Sequence, residues 1–526
     1  MKKFYVTTPI YYASGKIHIG HAYCSILADT MARYKKLCGY DVFFLTGSDE
    51  HGQKIAQKAL ENNMKPQEYV DSIVKGFKEN WEALKIDYSK FIRTTDASHV
   101  ECVQKVFEYL LKNGDIYKSY YDGWYCTPCE SFWTDHQVGE NHICPDCGRE
   151  VHRDKEECYF LNVKKYVPQL MEFYKLHPEF VPDGKFDEMY NNFIKPGLED
   201  LSITRTSFDW GVSVKSDPKH VVYVWIDALL NYISALGFNS SDDSLFKKYW
   251  SKDVEILQYA GREINRFHSI YWPIILFALN IRLPDTIYVH GLLITRSGVK
   301  MSKSLGNAPS PLPLIERYSV DALRYYSVTE IQTGEDGQFT PNQFVDRINA
   351  DLVNNYGNLV NRTLGMLQKY RNFKIPAKKK LIKQETIIAN EKISEHIKLY
   401  FEHFNSYHIS KAMHEVCLIG DIANKYIDET APWVLAKDES RSAELDEVLA
   451  TIADVVKCMS IMFKPVLVTK ADKVLDALKV AADDRNHLNI CLSNYCDNKE
   501  VSLIEPLFPR LKREDEVEFL VGMIDN

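Results

Sequence analysis

Two histidines three residues apart flank a glycine in His18-Ile19-Gly20-His21, and two lysines three apart enclose small hydroxyl residues in Lys300-Met301-Ser302-Lys303-Ser304. On a helix, the spacing of His18 and His21 puts both imidazoles on one face. Gly20 between them lets a flat ligand lie against the backbone. A helix N-terminus adds unpaired N–H groups and partial positive charge, which suits a phosphate. The lysine string follows the strand-like run Thr286 to His290 and sits among glycines (Gly291, Gly298), so a loop is expected there. Two ammonium groups on such a loop form a clamp for a polyphosphate. Either string alone is weak, since short motifs recur by chance and lysine pairs are usually solvated patches. Together they point at one triphosphate.

The elements that must carry these groups can be read locally. Tyr5 to Thr8 reads as a short buried strand broken at Pro9. Ile19, Tyr23, Ile26, Tyr34 and Leu37 fall at helical spacing, Gly39 closes that helix, and Val42 to Leu45 reads as the next strand. This βαβ unit sets His18 and His21 at the first turn of its helix. Just after the second strand, Asp49 can hold an ammonium group or cap a helix beginning near Gln53, and the two roles are compatible. Residues 66 to 113 read as helices around Trp81 and Val106. Val221 to Tyr232 reads as a strand running into a helix, and Glu255 to Tyr259 as a further strand. The helix after that carries Phe267, His268, Tyr271 and Trp272, with Pro273 as a kink.

Cys126, Cys129, Cys144 and Cys147 form two Cys-x-x-Cys pairs. Four thiolates at this spacing wrap one zinc ion tetrahedrally and leave no water position, so the ion is structural. It pins an insertion of about residues 116 to 160, too small for a core of its own. His136, His142 and Cys158 read as surface residues. From about Val320 strand-like alternation nearly disappears. Ile393, Ile397, Tyr400 and Phe404 share one helical face, as do Ala412, Val416, Ile419, Ala423 and Tyr426; Leu445 to Met459 make a third stripe. In this helical half Asn358 and Arg362 share a face, and Ala431-Pro432-Trp433 breaks a helix where an indole can stack on a base. Packing roles for Asn358 and Trp433 fit the sequence equally. The run Lys378 to Lys380 reads as a solvated loop.

The 526 residues imply several domains, with an ordinary 45% hydrophobic and 26% charged composition. A net charge of −8 argues against non-specific nucleic-acid binding but leaves room for a local basic stripe. No apolar run is long enough for a transmembrane helix, and a strand beginning at once leaves no room for a signal peptide. Clustered thiols without a secretory signal suit a reducing, cytoplasmic setting.

With both phosphate motifs in hand, the chain resembles a class I aminoacyl-tRNA synthetase, and its later residues narrow this to the methionyl-tRNA synthetase family over essentially the whole length. The resemblance implies an α/β Rossmann-type parallel-sheet catalytic domain with an inserted zinc-binding element and a C-terminal all-α anticodon-binding bundle. The implied boundaries are 1–115 and 221–290 for the catalytic domain, 116–220 for the connective insertion, 291–345 for the KMSKS loop and stem-contact region, and 346–526 for the anticodon-binding domain. It implies activation of L-methionine with ATP, carrying Mg²⁺, and transfer to tRNA(Met) for translation initiation and elongation. His18, His21, Lys300 and Lys303 become catalytic; Gly20, Glu263 and Gly291 join the lysines at ATP. Ile10, Tyr12, Asp49, Trp225, Tyr232, Phe267, His268 and Trp272 match the methionine pocket, although aromatics at such spacing equally suit a core. Asn358, Arg362 and Trp433 match positions that read a CAU anticodon. Gly261-Arg262-Glu263 departs from the family's usual Gly-Lys-Asp, which weakens the link from Glu263 to the ribose. The segment Phe508-Pro509-Arg510 reads as the end of the core, with no dimerisation module after it, so a monomer without membrane contact is expected.

Two other enzyme readings compete, a nucleotidyltransferase and a class I synthetase for another amino acid. A nucleotidyltransferase shares the histidine string but needs no helical half with an exposed indole. Editing synthetases for valine, isoleucine or leucine need a large insertion, and the 282 positions from His18 to Lys300 leave no room for one beside the cysteine element. A cysteine-specific enzyme needs an open metal position, which four thiolates fill. A non-enzymatic zinc-ribbon RNA binder would not need the two phosphate motifs.

Overall fold

A computed structural model describes residues 1–127, 131–133, 135–145, 147–222, 224–294, 308–331, 334–377, 383–490 and 499–524. Its centre is a parallel sheet in which β1 (Lys3–Thr7) pairs on one side with β2 (Asp41–Asp49), itself paired with β3 (Lys90–Arg93). On the other side β1 pairs with β4 (Val254–Gly261), which pairs with β5 (Thr286–His290). Phe4, Tyr5 and Val6 are wholly buried, as both faces of a parallel sheet must be when helices cover them. Strand order reverses around β1, so the crevice beyond the carboxyl ends of β1, β2 and β4 is where such a sheet receives a ligand. β3 is a correction: between the two helices expected over 66–113, Pro66–Ala83 and Ala97–Lys112, four residues join the sheet edge.

Helix α1 (Ile19–Leu37) follows β1. It ends as expected, with Gly39 in the left-handed region at φ 80°. The insertion is an antiparallel hairpin, Ile116–Cys126 against His152–Leu161, registered from Ile116↔Leu161 to Tyr125↔His152. Cys126, Trp133, Val138, Cys144 and Val151 bury one another at its tip. Cys158 is fully buried on this hairpin and is not a surface residue. As expected for Val221 to Tyr232, a strand, Val221–Val222, is followed by a helix, α2 (Val224–Leu229), which carries Trp225. The irregularity before α3 (Trp272–Ala278) is a π-turn over Phe267–Tyr271, and Pro273 sits harmlessly in α3's first turn.

The rest of the described residues are mainly helical, with Gly337–Gln338 pairing with Leu293–Ile294 and a single bridge between Lys374 and Glu500. Among these helices are α4 (Val320–Thr329), α5 (Asn358–Arg371), α6 (Gln384–Asn405), α7 (Ile409–Thr430), α8 (Ser442–Phe463) and α9 (Arg513–Ile524). The chain therefore does not end its packing at Phe508–Arg510: Glu516 on α9 accepts from Arg317 at 2.6 Å and from the Tyr318 hydroxyl at 2.6 Å. The bundle shares a core with α1. Tyr34 stacks on Phe404 at 4.0 Å and 4°. The fully buried Arg324 pairs with Asp29 of α1 at 2.6 Å and donates to the carbonyls of Pro465 and Val466. A buried pair this well bonded contributes little net stability, but removing one partner strands the other charge. No helix among the described residues is long and apolar enough to cross a membrane.

Candidate active site

His18 is the N-cap of α1, with extended backbone at φ −130° and ψ 172°. Its Nδ1 accepts the Gly20 N–H at 3.1 Å, while His21 Nδ1 accepts the His18 N–H at 3.3 Å. Because each Nδ1 is an acceptor, each neutral ring carries its proton on Nε2. The rings lie 3.8 Å apart, so two N–H donors leave one helix tip side by side. Gly20 suits this geometry: a Cβ there would meet His18 Cε1 at 2.9 Å and push the ring out of place. Tyr11 steadies the second ring, edge-on at 5.3 Å.

The lysine string, Lys300 and Lys303 included, lies outside the described residues, as do Cys129 and Lys378 to Lys380. Its flanks are described. Before it, β5 ends with His290 edge-on to Tyr23 of α1 at 5.3 Å. Gly291 then passes so close to another backbone segment that a Cβ would meet the Glu335 carbonyl oxygen at 1.8 Å. After it, the Pro309 carbonyl accepts the Ile19 N–H at 3.0 Å, beside both histidines. Described residues on both sides of the string thus touch α1, His290 at Tyr23 and Pro309 at Ile19.

Asp49 ends β2 and is 6% exposed. The helix that follows is Gln53–Glu61, with Gly52 at its N-cap. Glu50 next to it is buried and held by Arg93 at 2.7 and 2.8 Å, by Thr95 and by Ser48. Residues of α2, the π-turn and α3, together with Tyr232, form an aromatic wall. Trp225 stacks on Phe267 at 3.8 Å and 6°; Tyr232 lies 5.6 Å from Trp272. Trp272 Nε1 donates to Gln258 Oε1 at 2.9 Å. His268 Nδ1 meets the Ile264 carbonyl at 2.9 Å and so carries the proton; its Nε2 accepts from the Tyr232 hydroxyl at 2.7 Å. Burial pushes the His268 imidazole down to about 4, the Ile264 carbonyl opposing. This wall is therefore neutral near pH 7. Ile10, half-buried, sits on the turn after β1; Tyr12, also half-buried, lies in the short strand Tyr11–Tyr12, registered with Ser48 and Asp49 of β2; and Glu263 follows β4, its carboxylate folded back toward Gly261.

Sequence reasoning missed a buried relay. Asp227 on α2 accepts from His51 at 2.6 Å and from His99 at 2.8 Å, and His99 meets Ser234 at 2.7 Å. Burial would raise the Asp227 carboxyl, but the two imidazoles, His51 first, hold it down to about 2. Since Asp227 shares a helix with Trp225 and His51 follows Asp49, the relay fixes the aromatic wall relative to the acidic strand end. Trp210 from the insertion closes that corner, donating to the Glu50 carbonyl at 2.6 Å. Only His51, inside the Ser48-Asp49-Glu50-His51-Gly52 string, offered a local signal.

At the hairpin tip the Sγ atoms of Cys126, Cys144 and Cys147 lie within 4.8 Å of one another, Cys126 and Cys147 at 3.6 Å. Thiolates about 2.3 Å from one tetrahedral ion would stand roughly 3.8 Å apart. The three residues fit a metal ion. Gly148, in the left-handed region at φ 69°, turns the second knuckle so that its N–H reaches the Cys144 carbonyl. His142 stacks on Trp124 at 3.9 Å.

In the bundle, Asn358 is exposed at the start of α5. Arg362 reaches Asp428 at 2.6 Å and Asn424 at 3.4 Å. Trp433, just past the left-handed Ala431, is 43% exposed.

The family model for class I tRNA synthetases (M) matches residues 4–157 and 140–364, and the model for the anticodon binding domain of methionyl tRNA ligase matches 375–521. The methionine–tRNA ligase of Enterococcus faecalis is 47% identical over 528 residues, covering 98% of this chain and 78% of its own. That of Bacillus subtilis is 46% identical over 531 residues, covering 99% and 79%. The Mycobacterium tuberculosis methionyl-tRNA synthetase, solved with methionyl-adenylate, superposes with a TM-score of 0.92 at 36% identity, covering 97% of this chain and 100% of that one.

Proposed function

The chain belongs to the methionyl-tRNA synthetase family of class I tRNA synthetases, and from that premise we propose how its own residues divide the work. The reaction is methionine activation with ATP followed by charging of tRNA. In the first step a methionine carboxylate oxygen bonds to the α-phosphorus of ATP and pyrophosphate leaves, giving methionyl-adenylate. Positioning and charge stabilisation carry such a step. His18 and His21 donate from Nε2 to the α-phosphate region; Lys300 and Lys303 hold the departing pyrophosphate, and Mg²⁺ accompanies the nucleotide. Gly20 and Gly291 keep backbone close to ATP, with Glu263 beside the nucleotide. Asp49 holds the methionine ammonium. Ile10, Tyr12, Trp225, Tyr232, Phe267, His268 and Trp272 enclose the side chain, where sulfur–aromatic contact is worth about 0.3–1.5 kcal/mol each.

The observation that carries this reading is the Ile19 N–H to Pro309 carbonyl bond at 3.0 Å, which ties the far flank of the lysine segment to the histidine helix tip. Its test is ATP–pyrophosphate exchange across the twenty amino acids, with and without tRNA. Methionine should drive exchange alone and without tRNA; a stronger response to another amino acid contradicts the pocket.

Cys126, Cys144 and Cys147, with Cys129 as fourth ligand, hold one structural zinc ion. The thiolate-only donor set and the buried Cys126 and Cys144 support this. Elemental analysis should count one zinc per chain, and none after all four cysteines become serine. In the bundle Asn358, Arg362 and Trp433 read the anticodon of tRNA(Met), supported by the exposure of Asn358 and of the indole. Charged tRNA is consumed by translation, which sets the work in the cytoplasm. The division into catalytic halves 1–115 and 221–290, insertion 116–220, KMSKS region 291–345 and anticodon domain 346–526 follows the same roles.

A further inference from the structure

The guanidinium of the half-buried Arg266 is gathered by three aromatic rings from three parts of the chain. Its carbon lies 4.9 Å from the Trp133 centroid, 5.0 Å from Phe193 and 4.8 Å from Phe267. Trp133 is 2% exposed and packs with Cys126 and Cys144 at the hairpin tip. Phe193 lies in the π-turn Tyr190–Ile194 of the same insertion. Phe267 opens the π-turn before α3 and stacks on Trp225. Trp225 takes one face of the Phe267 ring at 3.8 Å, which leaves the guanidinium the other.

We propose that Arg266 is a positioning residue through which the insertion sets methionine affinity: it holds Phe267 flat against Trp225 from behind. This rests on the pocket reading given above. A planar cation suits the place because guanidinium stacks on rings and is weakly hydrated, so partial burial costs it less than it costs an ammonium. Without it, Phe267 keeps its backbone but loses the contact that fixes its ring, and the slot that receives the thioether widens. ATP meets none of these rings in the reading above, so the effect should fall on methionine alone.

The test is steady-state pyrophosphate exchange for Arg266→Met, Arg266→Lys, Phe267→Leu and the Arg266→Met/Phe267→Leu double variant, each checked by thermal melting. Arg266→Met should raise the methionine KM about tenfold, with the ATP KM within about twofold of the parent. Arg266→Lys, which keeps the charge but not the plane, should recover part of that loss. Adding Arg266→Met to Phe267→Leu should change the methionine KM by less than about twofold, because the ring it acts through is gone. If Arg266→Met does not fold, Arg266→Gln is read in its place with the same expectation. An unchanged methionine KM, an ATP KM rising in step, Lys no better than Met, or fully multiplicative effects in the double variant would each overturn the proposal. Phe267→Leu leaving methionine KM untouched would instead remove the pocket assignment, and Arg266's role with it.

Discussion

His21→Asn slows methionine-dependent pyrophosphate exchange by about 10²–10³ in kcat, the range for removing one preorganised donor from a developing oxyanion. Asparagine is the informative choice. Its amide oxygen can stand where Nδ1 stands and still accept the His18 N–H, so the 3.3 Å capping bond survives. What disappears is the Nε2–H, one bond further out. Melting temperature and methionine KM should therefore stay near the parent values while kcat collapses. His21→Gln carries an amide nitrogen out toward the Nε2 position and should recover part of the rate. A matching rise in methionine KM would mean that His21 builds the amino-acid pocket and not the phosphate site.

Trp433→Ala abolishes most aminoacylation while leaving methionine-dependent pyrophosphate exchange at the parent rate. The indole is 43% exposed on a four-residue helix, Pro432–Leu435, entered through the left-handed Ala431. Stacking one base there is worth about 1–3 kcal/mol, a loss of roughly 5- to 150-fold in kcat/KM for tRNA. Truncating a side chain this exposed removes little core, so stability should hold. Exchange falling together with aminoacylation would make Trp433 structural.

What was legible in the sequence is what local spacing dictates. The histidine helix, its glycine stop and the flanking strands follow from a 3.6-residue stripe and from runs buried on both faces; β5 spans the expected Thr286–His290. Val221 to Tyr232 was legible as a strand leading into a helix, but the point of change was not, because a short apolar run of β-branched and aromatic residues suits a buried helix as well as a strand. Asp227, His51 and His99 could not be found locally: their bonds join residues 176 and 128 apart, and a buried carboxylate has no periodic signature. Arg266 is similar, since its three rings arrive from separate elements. Cys158 was misjudged from its proximity to the knuckles, whereas strand alternation turns it inward.

The most direct measurement is a crystal structure of the chain with methionine and a non-hydrolysable ATP analogue. The account predicts His18 and His21 Nε2 within hydrogen-bond distance of the α-phosphate region, with the Lys300 and Lys303 ammonium groups on the β- and γ-phosphates of the same nucleotide. A triphosphate held at the helix tip while both lysines face another cavity would contradict it.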